Sequence, residues 1–408
     1  MKKLNNQIAF VSILSLFFLW ALAHNLNPIL IPHLKKACQL NDMQSALVDS
    51  SFYIAYFLMA IPASLVINKW GYKTTIVIGL LLFSIGAFLF YPASIILSYS
   101  FFLMALFIVA TGLTFLETAA NPYVTVLGDA ETSTKRLNFA QSFNGLGATL
   151  AALFGSKFIL SGNSFTSDNT IGLNDFQIRE KLLEEAASVQ IPYLVIASIV
   201  FFVAIFFMFL PLPELEKKSA DSGSYIKLIK DSHSLRQAMI AQFLYVGAQV
   251  GIGSFFIRLA VSQTGISDKT AALYLSVALF LFMMGRFIGS FLMNYIRPNL
   301  LLMVYAVLNI ILLFVVIFYS NFLAVYALMA TLFFMSIMFP SIFSNGVKGL
   351  GERAGMASSL IIMTIVGGAV FPLIMGIISD FTGIQFAFVL PLLAFVWITV
   401  YAYKLIKI

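Results

Sequence analysis

The chain has 408 residues, of which 61% are hydrophobic and only 10% charged, against about 25% charged in an ordinary soluble domain; a water-soluble globule is excluded, and lipid or other helices must solvate most side chains. The net charge of +7 does not mark a nucleic-acid binder, because the basic residues stand singly between apolar runs and not in one patch. Cys38 is the only cysteine, which excludes an intramolecular disulfide and a cysteine-based metal cluster.

Met1-Lys2-Lys3, followed by an apolar run from Ile8, has the pattern of a secretory leader. The run continues past Trp20 without an Ala-x-Ala cleavage site, so it is expected to stay as a first membrane span. Bilayer-length apolar runs then recur. The expected spans are 8–33, 44–67, 73–95, 99–127, 137–160 and 190–212, and then 236–262, 269–293, 299–319, 321–347, 354–379 and 384–405. Twelve spans put both termini on one side. With the N-terminus inside, the inner segments hold 16 Lys and Arg residues, among them Lys69, Lys73, Lys135, Arg136, Arg297, Lys348 and Arg353, against 6 outside. The positive-inside rule therefore predicts N-in and C-in.

Two stretches read as water-exposed. Residues 161–189 are Ser/Asn/Asp-rich and then amphipathic from Phe176, and are expected to form an outer loop. Residues 213–235, with Glu214, Glu216, Lys217 and Lys218, are expected to be a cytoplasmic linker. It would join an N-terminal six-helix half, 1–212, to a C-terminal half, 236–408. The halves carry a similar signal: Asn121-Pro122 through Gly128 ends span four, Phe339-Pro340 through Gly346 ends span ten, and both place Pro six residues before Gly. The predicted fold is an all-α polytopic membrane protein of two pseudo-symmetric six-helix halves around a midplane cavity, the architecture of major facilitator transporters.

Glu117 lies within the apolar run of span four. A carboxylate in a span costs about 2.5–3.5 kcal/mol on insertion scales, so it faces protein or a wet cavity and can carry a proton. The alternative is a buried acid hydrogen-bonded to a neighbouring helix for packing. Asn25 and Asn27 stand in the outer half of span one, just before Pro28, and amides suit a polyhydroxyl ligand because each offers donors and an acceptor. Asn138, Gln141 and Asn144 recur at spacings of three on span five, and Gln242, Tyr245 and Gln249 at three and four on span seven. Each set predicts a polar stripe toward a cavity, with interhelical hydrogen bonding as the alternative. Asp49, early in span two, is either solvated near the outer surface or a second proton site at the cavity mouth. His24 could shuttle a proton, though a lone histidine also serves as a hydrogen-bonded structural residue. Arg286, between Gly285 and Gly289, is expected to act in gating by bridging helix ends or a carboxylate, and Lys73, after Gly71-Tyr72, to form a basic turn of the same kind. No Walker loop, metal-ligand pair or nucleophile elbow is present. No enzyme activity, cofactor or metal is therefore expected, and the energy source would be an ion gradient or none.

At these residues the chain resembles the fucose–galactose–glucose:proton symporters of the major facilitator superfamily. The similar stretches include Leu16-Phe17-Phe18-Leu19-Trp20-Ala21, the run from Leu116-Glu117-Thr118-Ala119-Ala120-Asn121-Pro122 to Gly128, Gln242 to Gln249, Gly285-Arg286-Phe287 and Ile362 to Gly368. The resemblance implies a proton-driven importer of a neutral hexose, L-fucose foremost, in a bacterial cytoplasmic membrane. Its partners would be sugar, protons and lipid, without nucleic acid, and it would act as a monomer. The residue matching Glu117 is a proton and substrate residue in that family, and the amides matching Asn25 and Gln141 line its sugar cavity. The family pattern in span one is Asn-Leu-Asn-Asp, with the aspartate active in coupling; here Pro28 follows Asn25-Leu26-Asn27. Three readings stay open: Glu117 alone carries the proton, Asp49 substitutes, or the protein is an uncoupled facilitator. Multidrug-type efflux is a further transport reading, and the amide stripes argue against it.

Overall fold

The computed structural model describes residues 9–22, 24, 25, 34, 38, 42–127, 129–158, 175–187, 189–212 and 224–407. All regular structure among them is helical. In chain order the helices are α1 (Ala9–Leu22), α2 (Asp42–Phe88), α3 (Phe90–Ile96), α4 (Tyr99–Val126), α5 (Ser133–Phe158), α6 (Asp175–Ala187), α7 (Gln190–Phe209) and α8 (Tyr225–Asp231). They continue with α9 (His233–Thr264), α10 (Asp268–Leu292), α11 (Pro298–Phe318), α12 (Asn321–Met335), α13 (Met338–Val347), α14 (Ala354–Met363), α15 (Gly367–Thr382) and α16 (Val389–Lys407). Lipid offers no hydrogen bonds to a backbone, so apolar runs of this length close their own as helices.

Nine helical segments among the described residues are long and apolar enough to cross a membrane. One of them, Ser51–Ile96, has 46 residues, about 70 Å if straight. It does not run straight: Gly71 has φ 86 and ψ 173 inside α2, a backbone shape that glycine adopts without steric penalty. The chain turns there and crosses twice, where the sequence predicts spans two and three. With α1, whose described residues fall within expected span one, and α5, which overlaps expected span five, a helical segment stands at each of the twelve expected spans. Serines start several of them: Ser98, Ser232 and Ser267 accept from the N–H groups of Phe101, Leu235 and Thr270, each satisfying one orphan donor of a first turn.

Predicted spans ten and eleven are broken helices. Span ten divides into α12 and α13 around Ser336 and Ile337, ahead of Pro340, and span eleven divides at the 3-10 turn Thr364–Val366. In the linker region residues 213–223 lie outside the described residues, while α8 forms at 225 and α9 begins at His233, inside the stretch expected to be the linker. In the outer-loop region residues 161–174 lie outside them and α6 is helical.

α2 packs closely on α4 and α7, while α9 gathers α10, α12, α13, α15 and α16. The α2–α4 contact depends on small residues. A Cβ on Gly112 would fall 2.4 Å from the Phe83 backbone nitrogen and 2.6 Å from the Gly79 oxygen, so only glycine permits that approach. The two sets meet through α5 with α10 and α13, and through α14 with α2 and α4. Lys69, Lys135, Arg136, Arg297, Lys348, Arg353 and Lys404 sit at or near helix ends and joints, and the end of the helices that they mark is called the basic end below.

Candidate functional site

A cavity of about 160 Å³ lies between the two helix sets, room for roughly ten waters at about 10–15 Å³ each or one small polar molecule. From α1 it receives Trp20, from the residues just past α1 His24 and Asn25, and from α2 Tyr53 and Tyr56. Glu117 of α4 and the amides Gln141 and Asn144 of α5 complete that side. The other set presents Gln249 of α9, Phe282 and Arg286 of α10, and Phe339 of α13. The lining thus combines four amides, aromatic faces, one carboxyl and one guanidinium.

Glu117 is nine residues from the end of α4 at Val126, about 14 Å into the bilayer from the basic end. Its Oε1 accepts a 2.7 Å hydrogen bond from the Tyr56 hydroxyl. Arg286 shares the cavity but directs its donors to neutral oxygens. Its Nε donates to the Ser336 carbonyl at 3.2 Å, and its Nη1 donates to the Gln141 carbonyl at 2.7 Å and to Asn144 Oδ1 at 3.0 Å. The Phe282 ring lies 4.6 Å from the guanidinium carbon, within cation–π range. One arginine therefore ties α10 to the α12–α13 break in its own helix set and to α5 in the other.

The prolines explain why these carbonyls are open. Proline has no N–H, so the carbonyl four residues earlier loses its helical partner. Pro122 frees the carbonyl of Thr118, one residue beyond Glu117, and the Ser358 hydroxyl of α14 donates to it at 2.8 Å. Pro340 frees the carbonyl of Ser336, and Arg286 donates to that one. The matching prolines of the two halves thus each create a receptor for a side chain from another helix, and each receptor lies close behind a cavity-lining residue, Glu117 in one case and Arg286 in the other.

Toward the basic end the two helix sets close on each other. Ser133 and Thr134 meet Ser344 at 3.3 and 2.9 Å, Asn138 donates to the Ser341 hydroxyl at 3.3 Å, and Lys135 donates to Asn294. With the Ser358–Thr118 bond these contacts form a seal below Glu117. A single intramolecular hydrogen bond is worth about 0.5–1.5 kcal/mol net. Ser358→Ala is therefore expected to shift the closed state toward opening at the basic end by about 2–10-fold. Alkylation rates of a cysteine placed at Ser344 would report it, and an unchanged rate would remove the bond from the gate.

The expected polar stripes divide. Gln141, Asn144 and Gln249 line the cavity, as does Asn25, whose Nδ2 donates to the Ala21 carbonyl at 2.8 Å. Gln141 Nε2 also donates to Asn121 Oδ1 at 3.2 Å. Asn138, Gln242 and Tyr245 do not line it, and there the stripe expectation is corrected. Asn138 bonds into the seal, Tyr245 donates to the Met335 carbonyl at 3.1 Å, and Gln242 is fully buried with no described partner for either amide atom. The physical reason is rotation and depth. Two steps of three residues turn Asn138 about 120° from Asn144, and Gln242 lies about 10 Å closer to the basic end than Gln249. Asn27 and the side chain of Asp49 lie outside the described residues. Lys73 is half-buried beside the Gly71 corner, away from the cavity lining. Arg286, expected in gating alone, is part of the lining. Sequence reasoning missed Tyr56, Trp20 and Phe339; Tyr56 stands seven residues after Asp49 on the same helical face, and that spacing was the available signal.

Residues 8–366 match the family model of the Major Facilitator Superfamily. The L-fucose-proton symporter of Escherichia coli is 40% identical over 405 residues, covering 97% of this chain and 92% of that protein. The glucose/galactose transporter of Brucella abortus is 39% identical over 407 residues, covering 97% and 94%. The crystal structure of the transporter FucP in the outward conformation superposes with a TM-score of 0.91 at 39% identity, over 98% of this chain and 99% of that one.

Proposed function

The chain belongs to the Major Facilitator Superfamily, and from that premise we propose that it imports a neutral hexose together with a proton by alternating access. It is a multi-pass membrane transporter and not an enzyme. The observation that carries the sugar reading is the lining of one cavity by four amides and several aromatic rings, with Glu117 the one carboxyl among the described lining residues. Amides match hydroxyls as both donors and acceptors, and ring faces take the CH side of a sugar. The relatives named for L-fucose and for glucose and galactose agree on the class, and L-fucose is the first substrate to try.

In this reading Glu117 binds the proton, while Asn25, Gln141, Asn144 and Gln249 bind the sugar. Arg286 both borders the sugar and holds the gate. Asp49 and Asn27 keep their assignments as a second proton site and a sugar amide, Lys73 is assigned to the basic-end gate, and Asn138, Gln242 and Tyr245 are placed below the sugar in helix contacts. The protein works as a monomer in the bacterial cytoplasmic membrane. The basic end faces the cytoplasm, and 213–235 joins halves 1–212 and 236–408. The seal below Glu117 then makes the described conformation one closed to the cytoplasm.

The test is uptake of labelled L-fucose into vesicles, with competition by galactose, glucose and N-acetylglucosamine and with external pH recorded. Competition by hexoses with sugar-induced alkalinisation is the expected result. Uptake that only equilibrates, without alkalinisation, favours the facilitator reading that Pro28 keeps open, and no uptake of any hexose sinks the substrate class.

A further inference from the structure

We propose that His24 is a second proton carrier, loading protons at the mouth of the cavity and passing them to Glu117. This rests on the reading of the cavity as a proton-coupled sugar site. His24 lines the same cavity as Glu117. It stands one turn beyond Trp20 on the side of the cavity away from the seal, whereas Glu117 stands directly above the seal. A proton entering from the side away from the seal meets the imidazole first.

The imidazole is held in place by an aromatic shelf. Its ring meets Phe52 edge-on at 5.0 Å, Phe52 meets Tyr56 at 5.7 Å, and the Tyr56 hydroxyl donates to Glu117. These contacts fix two titratable groups relative to one another, and both line the cavity. The titratable and charged groups that share the lining with His24 are Tyr53 and Tyr56 of α2, Glu117 of α4 and Arg286 of α10. α5, α9 and α13 contribute only amides and apolar side chains, and the Asp49 side chain lies outside the described residues. Among the described lining residues, only His24 and Glu117 belong to side-chain types that exchange protons without strongly alkaline conditions.

The transfer balances. The imidazolium N–H bond breaks, a proton crosses cavity water, and an O–H bond forms on the Glu117 carboxylate. His24 returns to neutral imidazole, Glu117 becomes a neutral acid, and the total charge of the cavity is unchanged. No oxidant or further reactant is needed. The chain also has a titratable group four positions before Pro28, the position that cannot titrate. His24 supplies by another side chain the second proton site that the first span otherwise lacks.

The experiment compares wild type with His24→Asn and His24→Gln in proteoliposomes. It measures sugar counterflow, which needs no net proton movement, and proton-driven uptake at external values from about pH 5.5 to 8. In both variants counterflow is expected to fall by less than about 3-fold, while proton-driven uptake falls about 10-fold at the alkaline end, where protons are scarcest. A wild-type pH profile in both variants would overturn the proposal. So would parallel loss of counterflow and coupled uptake in both, because that marks a sugar contact or a packing residue. If wild type itself shows counterflow without sugar-induced alkalinisation, the coupled reading fails first, and that outcome is distinct from a variant that leaves a coupled wild type unchanged.

Discussion

Glu117→Gln is expected to abolish uphill accumulation of sugar and to spare exchange. Glutamine keeps the size and an oxygen that still accepts from Tyr56, so the 2.7 Å contact and the shape of the cavity survive. The lost property is the ability to gain and lose a proton. A gradient of one pH unit is worth about 1.4 kcal/mol, or about 10-fold in concentration per proton, and all of that is forfeited when the proton site is fixed as an amide. Counterflow, which exchanges labelled for unlabelled sugar, is expected to continue. The measurement is accumulation ratio against counterflow rate in the same vesicles. An uphill ratio equal to wild type would sink the assignment of the proton to Glu117.

Arg286 carries the second large effect. Its guanidinium reaches three acceptors on α5 and at the α12–α13 break. The Ser336 carbonyl it serves has no helical donor because Pro340 stands four residues on. Hydrogen bonds to a charged group are worth about 1.5–3 kcal/mol each, and a buried acceptor left unpaired costs about 1–3 kcal/mol. Arg286→Met is therefore expected to lower uptake by about 100-fold or more, since every 1.4 kcal/mol is a factor of ten. Arg286→Lys is expected to recover little, because an ammonium is a point charge and cannot hold the planar fork. Uptake and thermal unfolding in detergent should be measured together. A lysine variant with wild-type uptake would show that charge, and not the fork, is what matters.

The crossings were legible because each is a long apolar run between charged joints, and nothing in lipid competes with a helix for such a run. The turn at Gly71 was visible as the break between two runs. The division of span ten was not, since Ser336 and Ile337 read as ordinary helix and only the tertiary donors to their region make the break tolerable. Glu117 stood out because an acid in an apolar run has few innocent explanations. Tyr56 did not, because a tyrosine among Phe, Ile and Ala reads as core until the residue it faces is known. Asn138 and Gln242 were placed in the cavity by spacing, which fixes a helical face but not the depth at which the two halves close. Ser358 carried no signal at all. Its partner is a carbonyl 240 positions away, exposed by a proline on another helix.

The charge inventory of the cavity has a consequence for bioenergetics. With His24 in its neutral form, Glu117 and Arg286 are the charged groups among its described lining residues, and the guanidinium's hydrogen bonds go to neutral oxygens. With the acid ionised the pair sums to zero, and with it protonated to plus one. A neutral hexose changes neither sum. The loaded carrier therefore differs from the empty one by a single positive charge, and each turnover moves that charge across the bilayer. Transport should then respond to voltage as well as to acidity, at about 2.3 kcal/mol per 100 mV for one elementary charge. An inside-negative potassium diffusion potential, with equal pH on both sides, should drive accumulation by itself. His24 returns to neutral once it has passed its proton on, so the crossing carrier keeps one added proton, on Glu117, and the response is set at one charge per sugar; the cell's membrane voltage then fixes the ceiling on how far the sugar can be concentrated.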